Sequence, residues 1–155
     1  MNYCNYTEKK LVHIGTDGIY SGSVHKASEN DVPVNGRTWY YYSKLLANAY
    51  IQAKSRNYLI FNCSFKPKPF PYSKAITSQT GNFDYTPNIV ELMIRLINLN
   101  ASGNFNIGTS EKDIYSLAIQ TNPNVIKSDE VLDPEMPRDV TMDLSKMEKF
   151  LKDNE

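Results

Sequence analysis

The sequence predicts an α/β fold. Two short apolar runs, Leu11–Ile14 and Tyr58–Cys63, have the length of buried strands. Segments with helical apolar spacing and capping residues alternate with them, as in folds built from strand–helix units. The 155 residues are 41% hydrophobic and 22% charged, which suits one domain with a core of its own.

Along the chain, the polar first ten residues read as the tail of a helix or a loose end. Leu11–Ile14 is the first strand, and a glycine-rich loop follows from Gly15 to Gly22. Residues 23–37 read as loop from their Asn, Asp, Pro and Gly content. Thr38–Lys54 reads as a helix whose apolar stripe is Leu45, Leu46, Ala47, Tyr50 and Ile51. Tyr58–Cys63 is the second strand. Three prolines between Lys66 and Tyr72 forbid a regular element there. Thr86 fits a helix N-cap with Pro87 at the first helical position, and Ile89, Val90, Met93, Leu96 and Ile97 repeat at helical spacing. Phe105–Ile107 is a third strand. Ser110 with Asp113 resembles a capping box opening a short helix through Ile119, which Asn122-Pro123 stops. Asp143 caps a last helix carrying Met147, Phe150 and Leu151.

Composition excludes several classes of function. Seventeen basic against seventeen acidic residues leave no net charge, where a nucleic-acid binder shows a basic excess. No apolar run has the length of a membrane span, and the N-terminal residues hold no apolar core of a signal peptide. Cys4 and Cys63 match no metal spacing and read as free thiols of a reducing cytoplasm. His13 and His25 are the only histidines, too few for a multi-histidine metal site, so no metal is expected. Sixteen asparagines read as compositional bias rather than function.

Gly15, Gly18 and Gly22 after a strand suggest a dinucleotide fingerprint, but the spacing does not serve one. That motif needs its last glycine where the next helix packs, with the pyrophosphate at the helix N-terminus. The residues that follow show no helical period, and Pro33 interrupts them.

Tyr40 and Lys44 lie one turn apart on a predicted helix and share a face. A free tyrosine is a poor acid near neutral pH, and an adjacent ammonium favours its phenolate, so the pair is a plausible proton-transfer unit. It is also what a packed or solvated helix face carries, as Tyr41 and Tyr42 beside it do. Thr16-Asp17 adds weight, because it ends a strand, where α/β folds bind ligands. A threonine hydroxyl and a tyrosine that meet on one carbonyl oxygen suit its reduction, with hydride supplied by a cofactor.

These segments resemble the extended short-chain dehydrogenase/reductases, in the form of the dTDP-4-dehydrorhamnose reductases. LVHIGTDGIYSG is similar to the family's catalytic strand and loop, and SENDVPVNGRTWYYYSK to its E-x-D-x-P segment leading into Y-x-x-x-K. YLIFNCSF, GNFNIGTSEKDIYSLA and MPRDVTMDLSKMEKF resemble later family segments in family order, from about residue 10 to the end. The resemblance implies the C-terminal part of a Rossmann-type parallel sheet domain plus a small substrate-binding lobe. Residues 1–64 would hold the catalytic strand and helix of the NAD(P)-binding domain, and 65–155 mostly the substrate lobe with returning Rossmann elements.

By the same resemblance, Tyr40 is the general acid and Lys44 assists it and holds the nicotinamide ribose. Thr16 binds the substrate oxygen, and Asp17 lines the same pocket. Cys63 and Ser64 lie near the nicotinamide of NADP or NAD, and Phe65 stacks on the sugar where the family has Trp. Arg138 meets substrate phosphate or makes a surface ion pair. The implied activity is reduction of a nucleotide-linked 4-keto-6-deoxy sugar, a cytoplasmic step toward cell-surface polysaccharide precursors. An epimerase, or a non-catalytic sugar-nucleotide-binding or regulatory module, is the alternative.

The departures are Asn62 for Arg, Gly15 for Ser and Gly18 for an aromatic residue. Gly18 also stands where related 4,6-dehydratases carry Glu, which disfavours dehydration. KPKPFPY is atypical of the reductases and suggests a different sugar. The family's N-terminal half, with its glycine-rich cofactor loop, has no counterpart in these residues. The expectation is that a partner chain or self-association covers the strand edge left free.

Overall fold

The computed structural model describes residues 1–20, 24–31, 38–129 and 136–154. Gly22, Pro33 and the rest of residues 32–37, which carry part of the expected glycine loop and the segment before the tyrosine helix, lie outside the described residues.

In chain order the elements are α1 (Asn2–Tyr6), β1 (Leu11–Ile14), a 3-10 turn (Asp17–Ile19), α2 (Trp39–Lys54), β2 (Tyr58–Asn62), β3 (Phe65–Lys66), β4 (Lys74–Ile76), β5 (Thr80–Gly81), β6 (Asp84–Tyr85) and α3 (Thr86–Asn98). Then come β7 (Gly103–Asn106), β8 (Lys112–Asp113), α4 (Ile114–Ala118), β9 (Ile126–Ser128), β10 (Asp139–Val140) and α5 (Ser145–Asn154). The expected strands and long helices form, with boundaries moved by a residue or two. The short strands β3–β6 and β8–β10 are additions to the sequence reading. The fold is mixed α/β with parallel sheets.

The main sheet runs β1-β2-β7, all parallel, with Leu11 opposite Tyr58 and Phe61 opposite Phe105. Leu59, Ile60 and Phe61 are fully buried, as expected for the central strand of a covered parallel sheet. The amides of Leu11 and Gly15 donate to Asn57 and Phe61. Those of Val12 and Ile14 therefore face the other edge of β1, with which no strand pairs among the described residues. Smaller ladders join β10-β5-β8, β3-β6 and β4-β9, of which only β5-β8 is antiparallel.

Two apolar clusters result. One gathers Leu59 and Phe61 of β2, Ile89, Met93 and Leu96 of α3, Phe105 of β7, and Met147 and Leu151 of α5. The other gathers Phe70, Ala75, Phe83, Tyr85, Ile114, Leu117 and Val125. Helix α2 departs from its expected stripe: it buries Asn48 and Ile51, while Leu46 and Tyr50 are exposed.

The capping expectations are partly corrected. Thr38 caps α2 by accepting the Tyr41 amide. Tyr85, not Thr86, is the N-cap of α3, and the Thr86 hydroxyl donates instead to the Lys66 carbonyl. Asp113, not Ser110, caps α4 by accepting the Ser116 amide, so the same three-residue spacing is used one step later, within the D-I-Y-S stretch.

Beneath the ends of β1, β2 and β7 lies a buried amide cluster. Asn62 Nδ2 faces Tyr20 Oη, Asn104 Oδ1 and Asn106 Oδ1 at 3.0–3.2 Å, and Asn62 Oδ1 accepts from Asn48 Nδ2 at 2.9 Å. Asn106 Nδ2 donates on to the carbonyls of Ala27 and Asp143. The asparagine content thus has a structural use that composition did not show. A Cβ on Gly15 would stand 2.8 Å from Asn62 Oδ1, so Gly15 and Asn62, two separate departures from the family pattern, belong to one packing arrangement.

Asp84 ties the two clusters together. It accepts from the Tyr85 amide, Asn88 Nδ2 and Thr109 Oγ1, with Lys112 Nζ at 3.7 Å, both charged side chains being nearly buried. Burial opposes ionisation here, but these hydrogen bonds and the Lys112 charge outweigh it and hold the carboxyl below its usual range. Asp84→Ala is expected to lower the unfolding free energy at pH 7 by about 3–5 kcal/mol, because it strands Lys112 and three donors. Urea denaturation measures this. The folded-state pKa is depressed, so the difference narrows as pH falls through it.

Candidate functional site

A cleft of about 310 Å³ opens at the C-terminal ends of β1 and β2. Each wall follows from local sequence. The strand β1 ends at Ile14, and Thr16 turns the chain into the 3-10 turn by accepting the Gly18 amide on its hydroxyl oxygen. The first turns of α2 bring Tyr40, Tyr41 and Lys44 to the rim, and the end of β2 delivers Cys63 and Ser64. Phe65 and Lys66 of β3, with Gln79, Met136 and Val140, close the far side.

Seven of the eight residues singled out in the sequence meet here: Thr16, Asp17, Tyr40, Lys44, Cys63, Ser64 and Phe65. Arg138 does not line the cleft; its carbonyl accepts from the Thr80 amide beside β10. Lys66, Gln79 and Met136 are lining residues that the sequence reading missed. Lys66 was passed over because it opens the proline-rich stretch read only as irregular, although it ends a two-residue strand paired with β6.

Lys44 Nζ donates to the Ile14 carbonyl at 3.0 Å and lies 5.9 Å from the centre of the Tyr40 ring. That bond anchors α2 to the end of β1, at the strand's free edge. Tyr40 is 54% exposed and meets Tyr41 edge-on. Gly18 is required by this arrangement: a Cβ there would come within 2.0 Å of the Tyr41 ring. Neither the family's aromatic residue nor the dehydratases' Glu fits that position while Tyr41 holds its place. The Cys63 thiol is buried, pushed up to about 12 by burial first and by the Asp17 charge second, and is no nucleophile near neutral pH.

Asp17 is the unusual group. It is 5% exposed; its Oδ1 accepts the Thr16 hydroxyl at 3.1 Å, and its Oδ2 is buried without a hydrogen-bond partner. Burial pushes its carboxyl up to about 6, against the Thr16 bond, the Lys66 charge and nearby amides, which pull it down. The native state therefore holds a proton that the unfolded chain releases between about pH 4 and 6, and stability falls as pH rises through that window. Asp17→Asn keeps the acceptor for Thr16 and removes the buried charge. It is expected to raise stability at pH 7.5 by on the order of 1–3 kcal/mol and to change little at pH 4. Urea titrations of both proteins at the two pH values check it.

No family model matches the sequence, and comparison with curated proteins gives no match. Solved structures do match. A hypothetical dTDP-4-dehydrorhamnose reductase from Sulfolobus tokodaii aligns with a TM-score of 0.74 at 20% identity, over 96% of this chain and 60% of that one. A dTDP-4-dehydrorhamnose reductase from Bacillus anthracis, solved with NADP, gives 0.74 at 15% identity, over 97% and 66%. A UDP-glucuronic acid 4-epimerase from Bacillus cereus, solved with NAD, gives 0.70 at 18% identity, over 97% and 58%. Among the described residues no helix is long and apolar enough to cross a membrane. The chain has the Rossmann-type fold of dTDP-4-dehydrorhamnose reductases and related short-chain dehydrogenase/reductase enzymes of nucleotide sugars, and spans 58–66% of the length of these three solved structures.

Proposed function

We propose that the cleft is the catalytic and substrate-binding part of an NAD(P)H-dependent reductase acting on a nucleotide-linked 4-keto-6-deoxy sugar. One observation carries this reading: Thr16, Tyr40 and Lys44, from a strand end and the next helix, share one cleft with Ser64 and Phe65. The structural likeness to dTDP-4-dehydrorhamnose reductases supports it.

The donor set fits one end of the cofactor. The Tyr40 hydroxyl, the Lys44 ammonium and the Ser64 hydroxyl suit a ribose and its nicotinamide. Bound NADH or NADPH would supply hydride to the substrate carbonyl carbon. Tyr40 gives its phenolic proton to the carbonyl oxygen, and the nearby Lys44 ammonium stabilises the phenolate left behind. Thr16, whose hydroxyl proton points to Asp17 Oδ1, positions that carboxyl and meets the substrate oxygen once the bond turns outward. The exposed Phe65 ring offers the sugar an apolar face. In this reading the diphosphate of the cofactor rests on polypeptide beyond these 155 residues, of this or another chain, which adds a parallel strand to the free edge of β1.

Titration calorimetry of the full chain with dTDP-glucose and with NADPH tests the proposal. Both are expected to bind, NADPH more weakly. Lys44→Ala is expected to weaken NADPH about tenfold, as for one lost charge-assisted hydrogen bond, and to leave dTDP-glucose within about twofold. Tyr40→Phe, which removes one neutral hydrogen bond to the ribose, is expected to weaken NADPH about two- to tenfold and to leave dTDP-glucose within about twofold. Absence of binding by both ligands overturns the reading.

A further inference from the structure

We propose that the Tyr41 ring is the specificity-determining wall of the sugar subsite, receiving the C6 methyl of a 6-deoxy sugar beside the carbonyl that Tyr40 serves. The assignment rests on the nucleotide-sugar reading for the ligand and on the packing of Tyr41 for the residue.

That packing is tied to a departure from the family pattern. Gly18 stands where the reductases carry an aromatic residue. A Cβ built there would lie 2.0 Å from one carbon of the Tyr41 ring and 2.3 and 2.8 Å from two others. The ring therefore holds the space that a side chain at position 18 would enter. Gly18 is buried and is not a lining residue, while Tyr41 is half-buried and lines the cleft. An aromatic ring is thus kept at this point of the wall, but it comes from α2 instead of the 3-10 turn.

What the ring selects follows from its neighbour. Tyr40 and Tyr41 lie on the first turn of α2, and their rings meet edge-on with centres 5.4 Å apart. In the proposed reaction the Tyr40 hydroxyl serves the carbonyl oxygen on C4, so the Tyr41 ring borders the carbons beside C4. Of these, C3 carries a hydroxyl and C5 carries the methyl. A hydroxyl pressed against an aromatic ring loses its water partners without replacement, whereas a methyl gains by leaving water. The methyl is the one substituent of a 6-deoxy sugar without a polar atom, and so the group that this ring suits. The other apolar lining groups stand elsewhere: Phe65, Met136 and Val140 on the far side with Lys66, and Ile14 and Cys63 at the strand ends. A 6-hydroxymethyl group would bring an oxygen to the Tyr41 ring and a 6-carboxylate a charge, so the ring disfavours both.

The test is titration calorimetry of the full chain with dTDP-6-deoxyglucose and dTDP-glucose, which differ by the one oxygen at C6. The wild-type chain is expected to bind the 6-deoxy sugar about tenfold more tightly, the lower end of discrimination by one group in an apolar subsite. Tyr41→Phe keeps the ring and is expected to keep the ratio. Tyr41→Ala removes the ring, and the ratio is expected to fall to about twofold or less. Gly18→Ala, whose methyl would displace the ring, is expected to lower the ratio as well. Gly18→Ala combined with Tyr41→Ala is expected to show the ratio of Tyr41→Ala, because both changes act on one ring. A loss of packing alone would weaken both ligands equally and leave the ratio in place. A second measurement needs no cavity: an NOE is expected between the C6 methyl protons of bound dTDP-6-deoxyglucose and the ring protons that Tyr41→Phe assigns to Tyr41. Equal affinities in the wild-type chain, a ratio that Tyr41→Ala leaves in place, or a bound methyl without that NOE overturns the proposal and leaves the sugar-nucleotide reading standing. If neither dTDP-sugar binds, both fall.

Discussion

The Asn62 amide is the constraint on which the site depends. It sits at the end of β2 and touches four side chains, Tyr20 after the 3-10 turn, Asn48 of α2, and Asn104 and Asn106 of β7. An amide with two donor hydrogens and one acceptor oxygen can satisfy such a set only if all the partners keep their places. The distance between the Thr16 turn and the face of α2 that carries Tyr40 and Lys44 is set from below by this cluster. Gly15 is part of the same solution, because a side chain there would displace Asn62. A long guanidinium at position 62 would need a different floor.

Above that floor two sets of elements make the cleft. The main sheet supplies Thr16, Asp17, Cys63 and Ser64, and α2 supplies Tyr40 and Lys44. Phe65 and Lys66 reach the far wall because β3 pairs with β6, at the base of the second apolar cluster. Lys66, Gln79 and Met136 also line a neighbouring cleft of about 580 Å³ with Phe70, Tyr72 and Ile114. The two spaces therefore meet at Lys66.

Much of this was legible in the sequence, and the exceptions have physical causes. The strands β1 and β2 and the helices α2 and α3 announce themselves because four or more apolar residues, or a cap with a helical period, leave a local signature. The short strands β4, β9 and β10 leave none: two or three residues hold no alternation, and their partners lie tens of residues away. The α3 cap was misplaced by one residue because Thr86 uses its hydroxyl on the Lys66 carbonyl, a tertiary bond that local rules do not see. Leu46 and Tyr50 fit the apolar period of α2 and yet face outward, while a polar residue, Asn48, is buried in their place. In the site, Thr16, Tyr40 and Lys44 were readable from spacing and motif. Lys66 was not, since a lysine beside prolines carries no meaning until β3 places it on the cleft wall.

The same reasoning separates structural from functional polarity in this fold. Asp84 and Asn62 are buried polar groups with their partners in place, and removing them harms the fold. Asp17 is buried at a similar depth with one oxygen unmatched, so its charge works against the folded state. Selection for folding alone would favour Asn at that position, which satisfies Thr16 equally and leaves no charge behind. Asp17 therefore opposes stability at the wall of a cleft that Lys66 also lines.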